Sequence, residues 1–166
     1  NGYPLRLIAP GWYGIANVKW LKRIEVTDRR LENRFMGRDY VTLRKEQRGD
    51  ETVWTERLVT HARLKSAPAR VVRTATGYRI DGAAWGAPLA KVEVKIDDRA
   101  WQAAQLETKQ AKHFAWTFWS LAWPDATPGE HKVTTRAVDI DGAVQPAMDD
   151  PLITSKITYW ESNGQI

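Results

Sequence analysis

The sequence predicts a mainly β protein, in which a short segment of mixed structure precedes an antiparallel β-sandwich. Three observations lead to this prediction. Residues 91–97 alternate apolar and charged side chains without interruption, turn signals recur about every 8–12 residues after position 53, and no run of about ten residues in this part has the apolar period of a helix. Short strands between regularly spaced turns are typical of sandwiches and barrels.

The N-terminal part contains two predicted strands around a glycine-rich loop. Residues 5–9 are mostly apolar and end at Pro10-Gly11, and Gly14 allows a tight loop after them. Residues 16–26 predict a turn and then a strand. Residues 28–52 are polar and rich in arginine, which predicts an irregular connection with a short helical turn. We therefore divide the chain into residues 1–50 and a β domain over 51–166.

Roughly seven short strands are expected in the β domain. The clearest is 91–97, in which Val92, Val94 and Ile96 face a core and the charged residues face water. Further strands are predicted at 69–73, 78–85, 114–123 and 131–139, with turn-forming Gly, Pro and Asp residues between them.

The composition excludes several classes of site. The 166 residues include no cysteine, which excludes disulfides, zinc ribbons, iron–sulfur clusters and thiol nucleophiles. The three histidines lack the short spacings of a zinc site, and neither glycine-rich nucleotide fingerprint occurs. No apolar stretch is long enough to predict a membrane span, so no membrane partner is expected.

Positive charge is concentrated in the first half of the chain. Residues 1–75 contain 16 Lys and Arg against 8 Asp and Glu, whereas residues 76–166 contain 9 against 12. Such a segment suits a nucleic acid, an acidic membrane or a small anion, or is a solvated basic surface. No nucleic-acid partner is expected, because exposed aromatic residues are not interleaved with the basic ones here.

Two groups of residues in the β domain have structural explanations. The acidic pairs at 97–98, 139–141 and 149–150 lie in or near predicted turns, where aspartate is favoured, and calcium binding at Asp139 and Asp141 is an alternative with too few oxygen ligands. Aromatic residues within predicted strands bury large areas, which predicts a place in the core or in a subunit interface. They are Trp85, Trp101, Trp116, Phe118, Trp119 and Trp123.

The glycine-rich loop is the strongest candidate for a binding site. Its turn presents backbone N–H groups, and Arg6 and Lys19 on either side supply fixed positive charge. This combination is typical of a cradle for phosphate or another anion. An ordinary solvated loop is the alternative.

Several motifs resemble the sulfite oxidase family of molybdopterin oxidoreductases. Residues 2–14, G-Y-P-L-R-L-I-A-P-G-W-Y-G, followed by N-V-K-W-L at 17–21, are similar to the stretch that closes the family's molybdopterin-binding domain. Residues 38–40 and the predicted strands resemble its C-terminal dimerisation domain, an immunoglobulin-like sandwich, and Y-W-E-S-N at 159–163 resembles the bacterial form of its ending. The resemblance covers essentially the whole chain.

The resemblance implies a set of cofactor-binding residues. Arg6 matches an arginine that binds the molybdopterin, and Asn17, Val18 and Lys19 match a segment that contacts the pterin and its phosphate. Asn1 stands where many members have a histidine that contacts the cofactor. No catalytic residue and no metal ligand is implied within this chain.

The resemblance also implies an enzyme of which this chain is the C-terminal part. The cysteine ligand to molybdenum and most of the pterin site would lie in an upstream molybdopterin domain, so the chain alone is expected to be inactive. The intact enzyme would transfer an oxygen atom on a small oxyanion and pass electrons to a haem or cytochrome. Lys156 falls where animal sulfite oxidases place an arginine in the anion pocket; a lysine keeps the charge but not the bidentate fork. The sandwich would form a homodimer, and in a bacterium the periplasm is the expected compartment.

Two alternatives are open. Nitrate reductases of plants and fungi share the same two domains, so nitrate competes with sulfite as the substrate. A stand-alone immunoglobulin-like interaction module without catalysis is the other alternative, and the lack of cysteine and of a catalytic cluster favours it.

Overall fold

The computed structural model describes residues 2–29, 33–107, 114–151, 154 and 164–166. The chain divides into two compact units, Asn1–Ala62 with Asp149–Trp160, and Arg63–Met148 with Glu161–Ile166. Its sheets are all antiparallel, and the prediction of a mainly β protein with an antiparallel sandwich is confirmed.

In the described residues before position 41, the first unit has little regular structure. A 3-10 turn occupies Gly14–Ala16, and a π-helical turn at Phe35–Asp39 lies within the segment predicted to contain a short helical turn. The strands predicted at 5–9 and 16–26 are wrong, because only an isolated bridge between Arg6 and Lys19 forms there. The Asn17 side chain takes the Ala9 N–H that a ladder would use, and Trp20 has a left-handed φ of 57°.

A hairpin follows in the first unit. Strand β1 (Val41–Arg48) pairs with β2 (Glu51–Leu58) in unbroken antiparallel register, and Gly49 in the two-residue turn has φ 61°. The prediction of an irregular connection is therefore wrong for residues 41–48 and 51–52. Charged side chains on both faces of this ribbon conceal the period of a strand.

The second unit is a sandwich of two four-stranded antiparallel sheets. Its strands are β3 (Lys65–Thr74), β4 (Gly77–Trp85), β5 (Leu89–Ile96), β6 (Gln102–Ala103), β7 (Gln105–Leu106), β8 (Thr117–Trp123), β9 (Val133–Asp139) and β10 (Gly164–Gln165). One sheet has the order β3-β4-β8-β7 and the other β10-β9-β5-β6. The five strands predicted in this part correspond to β3, β4, β5, β8 and β9, although β3 begins four residues earlier and β8 three residues later than predicted.

The core lies between the two sheets. Val92, Val94 and Ile96 are at most 1% exposed, as the alternation at 91–97 predicts. Gly82 makes room for the largest core residue, because a Cβ at that position would lie 2.1 Å from the ring of Trp119. The buried apolar cluster consists of Ile80, Ala84, Leu89, Val92, Val94, Ile96, Trp119, Trp123, Val133 and Ala137.

The aromatic residues of β8 and its approach divide between two faces. Trp119 and Trp123 are buried, whereas Trp116 is 62% and Phe118 51% exposed. Successive side chains of a strand point to opposite sides, so the residues at even positions lie outside the sandwich. A place in the core is therefore wrong for Trp116 and Phe118.

A buried glutamine connects the two sheets. Gln145 Oε1 accepts the N–H of Ser66 in β3 at 2.8 Å and the N–H of Ala137 in β9 at 3.1 Å. Its Nε2 donates to the carbonyl oxygen of Ser66 at 3.4 Å. All three residues are at most 2% exposed, so this side chain satisfies backbone groups that water does not reach.

Candidate functional site

The N-terminal segment of the first unit brings Arg6 and Lys19 together. Their backbones form an antiparallel bridge, next to which the Leu7 N–H donates to the Val18 carbonyl at 2.9 Å and the Leu21 N–H donates to the Leu5 carbonyl at 3.0 Å. Residues directly opposite each other in an antiparallel pair carry their side chains on the same side. The guanidinium and ammonium groups therefore project from one side of the segment.

Asn17 shapes the loop between these two residues. Its side-chain Oδ1 accepts the Ala9 N–H at 2.7 Å, and its own N–H donates to the Gly14 carbonyl at 3.0 Å. Among the described residues its amide NH₂ has no hydrogen-bond partner, so it can contact a ligand. Both backbone groups of Val18 are hydrogen-bonded within the segment, so Val18 offers a ligand its exposed side chain.

The far end of the loop is tied to the residues that follow β2. Trp12 and His61 form an isolated bridge and their rings lie 4.6 Å apart. The Tyr13 N–H donates to the Thr60 carbonyl at 3.0 Å, and the Ala62 N–H donates to the Gly11 carbonyl at 2.7 Å. Sequence reasoning missed this anchor, since residues about 50 positions apart carry no local signal.

The two cations are available to an anion. Gly2, at φ 115°, packs against Arg6, and a Cβ there would lie 2.8 Å from the Arg6 Nε. Lys19 Nζ lies 4.5 Å from the centre of the Trp20 ring. Both cationic residues are exposed, and within the described part of the chain neither takes part in a salt bridge. Adjacent, unneutralised guanidinium and ammonium groups are suited to a phosphate.

The remaining predicted site residues have varied outcomes. Asn1 and Lys156 lie outside the described residues. Asp139 Oδ1 accepts the N–H groups of Asp141 and Ala143, which is turn chemistry, and among the described residues no group of three acidic or histidine side chains is arranged to hold a metal ion. None of the helices in the described ranges is long and apolar enough to span a membrane.

A second candidate surface lies on the outer side of the β3-β4-β8-β7 sheet. Trp85 and Trp116 stack with ring centres 5.0 Å apart and planes 19° from parallel, and the exposed Phe118 lies two residues further along. We call Trp85, Trp116 and Phe118 the aromatic face. Exposed aromatic side chains in one place are typical of protein interfaces.

The outer side of the other sheet differs in character. The Glu93 carboxylate accepts from Lys91 Nζ and from Arg136 Nε, both at 2.6 Å, and these bonds, that of Lys91 first, lower the pKa of Glu93. The Arg136 guanidinium lies 4.2 Å from the centre of the Trp101 ring, and Lys95 Nζ lies 5.5 Å from it. The charged groups on this side are therefore paired with one another. The Trp101 ring packs against the Arg136 guanidinium and not in the core.

Two family models match the chain. The oxidoreductase molybdopterin binding domain matches residues 1–35, and the Mo-co oxidoreductase dimerisation domain matches residues 53–160. The first range includes the loop with Arg6 and Lys19, and the second includes the whole of β3 to β9.

Individual relatives agree with these models. The chain is 27% identical to the mitochondrial sulfite oxidase of Drosophila melanogaster over 88% of its length and 29% of that protein, and 30% identical to an NADH nitrate reductase of Cucurbita maxima over 73% of its length and 16% of that protein. The solved structure of the sulfane dehydrogenase SoxCD from Paracoccus pantotrophus superposes with a TM-score of 0.68 at 32% identity, covering 89% of this chain and 38% of that one. The chain thus spans well under half the length of these relatives.

Proposed function

The chain belongs to the sulfite oxidase family of molybdenum-cofactor oxidoreductases, and we propose that it completes the pterin site of such an enzyme and joins two copies of it. The proposal that the chain completes the pterin site rests on the bridge that places Arg6 beside Lys19. The proposal that it joins two copies rests on the aromatic face.

The loop residues fit a phosphate-bearing pterin. A phosphate dianion is held best by charge-assisted hydrogen bonds, for which Arg6 offers a planar fork and Lys19 a compact charge. The Asn17 amide and the Val18 side chain would contact the pterin, and by resemblance Asn1 would contact it as well. When bound, the molybdenum cofactor supplies the oxygen-atom and electron transfer. This chain would orient it and add positive potential around its phosphate.

The cofactor content of the full-length enzyme tests the proposal that this chain completes the pterin site. We expect Arg6→Ala and Lys19→Ala to lower the pterin and molybdenum content per protomer. Lys22→Ala is the matched control, since it removes an exposed cation three residues beyond Lys19. Full occupancy in either variant would refute the role assigned to that residue. The chain by itself lacks the cysteine that would supply a thiolate ligand and is expected to bind no stoichiometric molybdenum in elemental analysis.

The substrate proposal follows from the family. We propose a small oxyanion, with sulfite or nitrate as the candidates and a haem or cytochrome as the electron partner. Lys156 would contribute charge to the anion pocket. Turnover of the full-length enzyme with each oxyanion, using cytochrome c to accept electrons from sulfite and a reduced dye to supply them to nitrate, distinguishes the two. A loss of turnover without loss of cofactor in Lys156→Ala would support its role, and unchanged turnover would remove it.

The dimerisation-domain model implies a homodimer, and we propose that its interface is the aromatic face. The β5-β9 side is an unsuitable alternative because Lys91, Glu93 and Arg136 already satisfy one another there. The large apolar side chains of Trp116 and Phe118 are both more than half exposed in the single chain. Burying them against a second copy gains free energy at about 25 cal/mol per Å² of apolar area.

Sedimentation of the chain tests the interface. Phe118→Lys and Trp116→Lys are expected to give a monomer at tens of micromolar concentration, roughly the range in which a moderately stable dimer persists. Ile140→Lys is the matched control, because Ile140 is an equally exposed apolar residue elsewhere on the sandwich. A dimer in both aromatic variants would refute the proposed face. A dimer that never contains pterin, even in the full-length protein, would support the interaction module without catalysis.

A further inference from the structure

His131 makes two hydrogen bonds that together require two ring protons. Its Nδ1 lies 2.8 Å from Asp97 Oδ2, and its Nε2 lies 2.8 Å from the carbonyl oxygen of Thr127. A carboxylate and a carbonyl only accept hydrogen bonds. Neutral imidazole carries one N–H, so both bonds form together only when the ring is an imidazolium.

The two partners belong to different loops of the sandwich. Asp97 lies in the turn that follows β5, at a left-handed φ of 51°, and its Oδ1 accepts the Lys132 N–H at 2.8 Å. Thr127 lies in the loop between β8 and β9, which runs over 124–132. His131 therefore joins two positions within this loop, 127 and 131, and also joins the loop to the turn at Asp97.

The charged surroundings favour the imidazolium. The hydrogen bond that His131 donates to Asp97, and after it the one that it donates to Thr127, raise the pKa of His131 above its ordinary value, while Arg99 lowers it. Arg99 is itself paired with Asp125 at 2.6 Å. The pKa of Asp97 is lowered, chiefly by the bond with His131 and then by the Lys132 N–H. The other groups near the ring are Tyr78, which lines the same cleft, and the neighbours Glu130 and Lys132.

We propose that His131 is a proton-controlled latch on the loop between β8 and β9. When the ring loses a proton, the remaining N–H stays with the carboxylate of Asp97, because a charge-assisted bond is the stronger of the two. The bond to the Thr127 carbonyl is then lost, only the longer contact of 3.4 Å between Thr127 Oγ1 and Nε2 still joins the ring to Thr127, and residues 126–130 are loosened. Residues 126–129 form one wall of a cleft of about 380 Å³ whose other wall includes Tyr78 and Trp123, so deprotonation widens this cleft.

The sign of the pH dependence follows from the two shifts. Since the pKa of His131 is raised by folding, its contribution to stability is complete below about 6.5 and is lost as the pH rises through the folded-state pKa. Since the pKa of Asp97 is lowered, its contribution is present above about 3.8 and is lost as the pH falls through its folded-state pKa. The latch therefore contributes its full stability between about pH 4 and 6.5, and it opens as the pH rises through the raised pKa of His131.

An NMR titration of the full chain tests the latch. We expect the His131 ring to titrate above 6.5 in the wild type and lower in Asp97→Asn, which keeps an acceptor for the Lys132 N–H and suits the left-handed backbone. Asp98→Asn is the matched control, since it removes the same charge one residue further on and leaves both ring bonds in place. Backbone ¹⁵N order parameters at Ala126, Thr127, Gly129 and Glu130 should fall in the wild type as the pH passes the His131 pKa and should be low already at pH 6 in His131→Ala.

Three results of these measurements would overturn the latch. A wild-type His131 that titrates at or below 6.5, or the same pKa in Asp97→Asn and Asp98→Asn, overturns the latch. Order parameters at Ala126, Thr127, Gly129 and Glu130 that do not change across the titration overturn it as well, even where the ring pKa is raised.

Discussion

Replacing Gln145 by leucine removes an acceptor that strands of two different sheets share. Leucine has a similar volume, so the change leaves little cavity and acts on the hydrogen bonds. The N–H groups of Ser66 and Ala137 lose their partner at 2.8 and 3.1 Å, and both lie on residues that are fully buried. A buried N–H without a partner costs about 1–3 kcal/mol, so the two together predict a loss of about 2–6 kcal/mol.

Urea unfolding followed by tryptophan fluorescence measures this loss. Trp119 and Trp123 are buried in the sandwich core and report on its exposure to solvent. A domain of this size has about 5–15 kcal/mol of stability, so the midpoint of the transition should shift markedly at an unchanged slope. Gln105→Leu, the same change at an exposed position in β7, should stay within about 0.5 kcal/mol of the wild type. An equally small effect for Gln145→Leu would refute the view that Gln145 holds the sheets together.

Three further predictions concern packing and ionisation. Gly82→Ala would place a methyl group 2.1 Å from the Trp119 ring and should cost at least about 1–3 kcal/mol in urea unfolding, so wild-type stability would contradict the packing described. Val94→Ala removes two buried methyl groups and should cost roughly 1.5–3 kcal/mol by the same measurement, whereas a loss below about 0.5 kcal/mol would place Val94 outside the core. Arg57 lowers the pKa of Glu46 to about 2, so the contribution of Glu46 is complete above about 4.5 and is lost as the pH falls through about 2. In Arg57→Gln the Glu46 carboxyl carbon should titrate closer to 4.5 in an NMR experiment, and a titration that stays near 2 would contradict this cause.

Residues whose signal is local were predicted well. The alternation at 91–97 identified Val92, Val94 and Ile96 as buried before any strand partner was known. The motif with Arg6 and Lys19 identified the segment that the molybdopterin-binding model covers. In both cases the information lies within about 20 residues of the chain, where periodicity and motif spacing are readable.

Features that depend on a partner strand were not predicted. The hairpin of β1 and β2 has charged residues on both faces, so its strands are defined by pairing with each other and not by an apolar period. In β8 aromatic residues stand at both even and odd positions, so the sequence does not show which face is buried. A shift by one residue exchanges the two faces of a strand. Packing against Gly82 decides that Trp119 is inside and Phe118 outside.

The sequence by itself therefore determined the mainly β class, the buried face of β5 and the family to which the chain belongs. Tertiary structure alone decided which aromatic residues are exposed, that Gln145 reaches a residue 79 positions away, and that His131 meets Asp97 across 34 positions. The physical reason is that side-chain period and motif spacing depend on neighbours along the chain. Hydrogen bonds between strands and loops far apart in sequence form only where packing brings their atoms within about 3 Å.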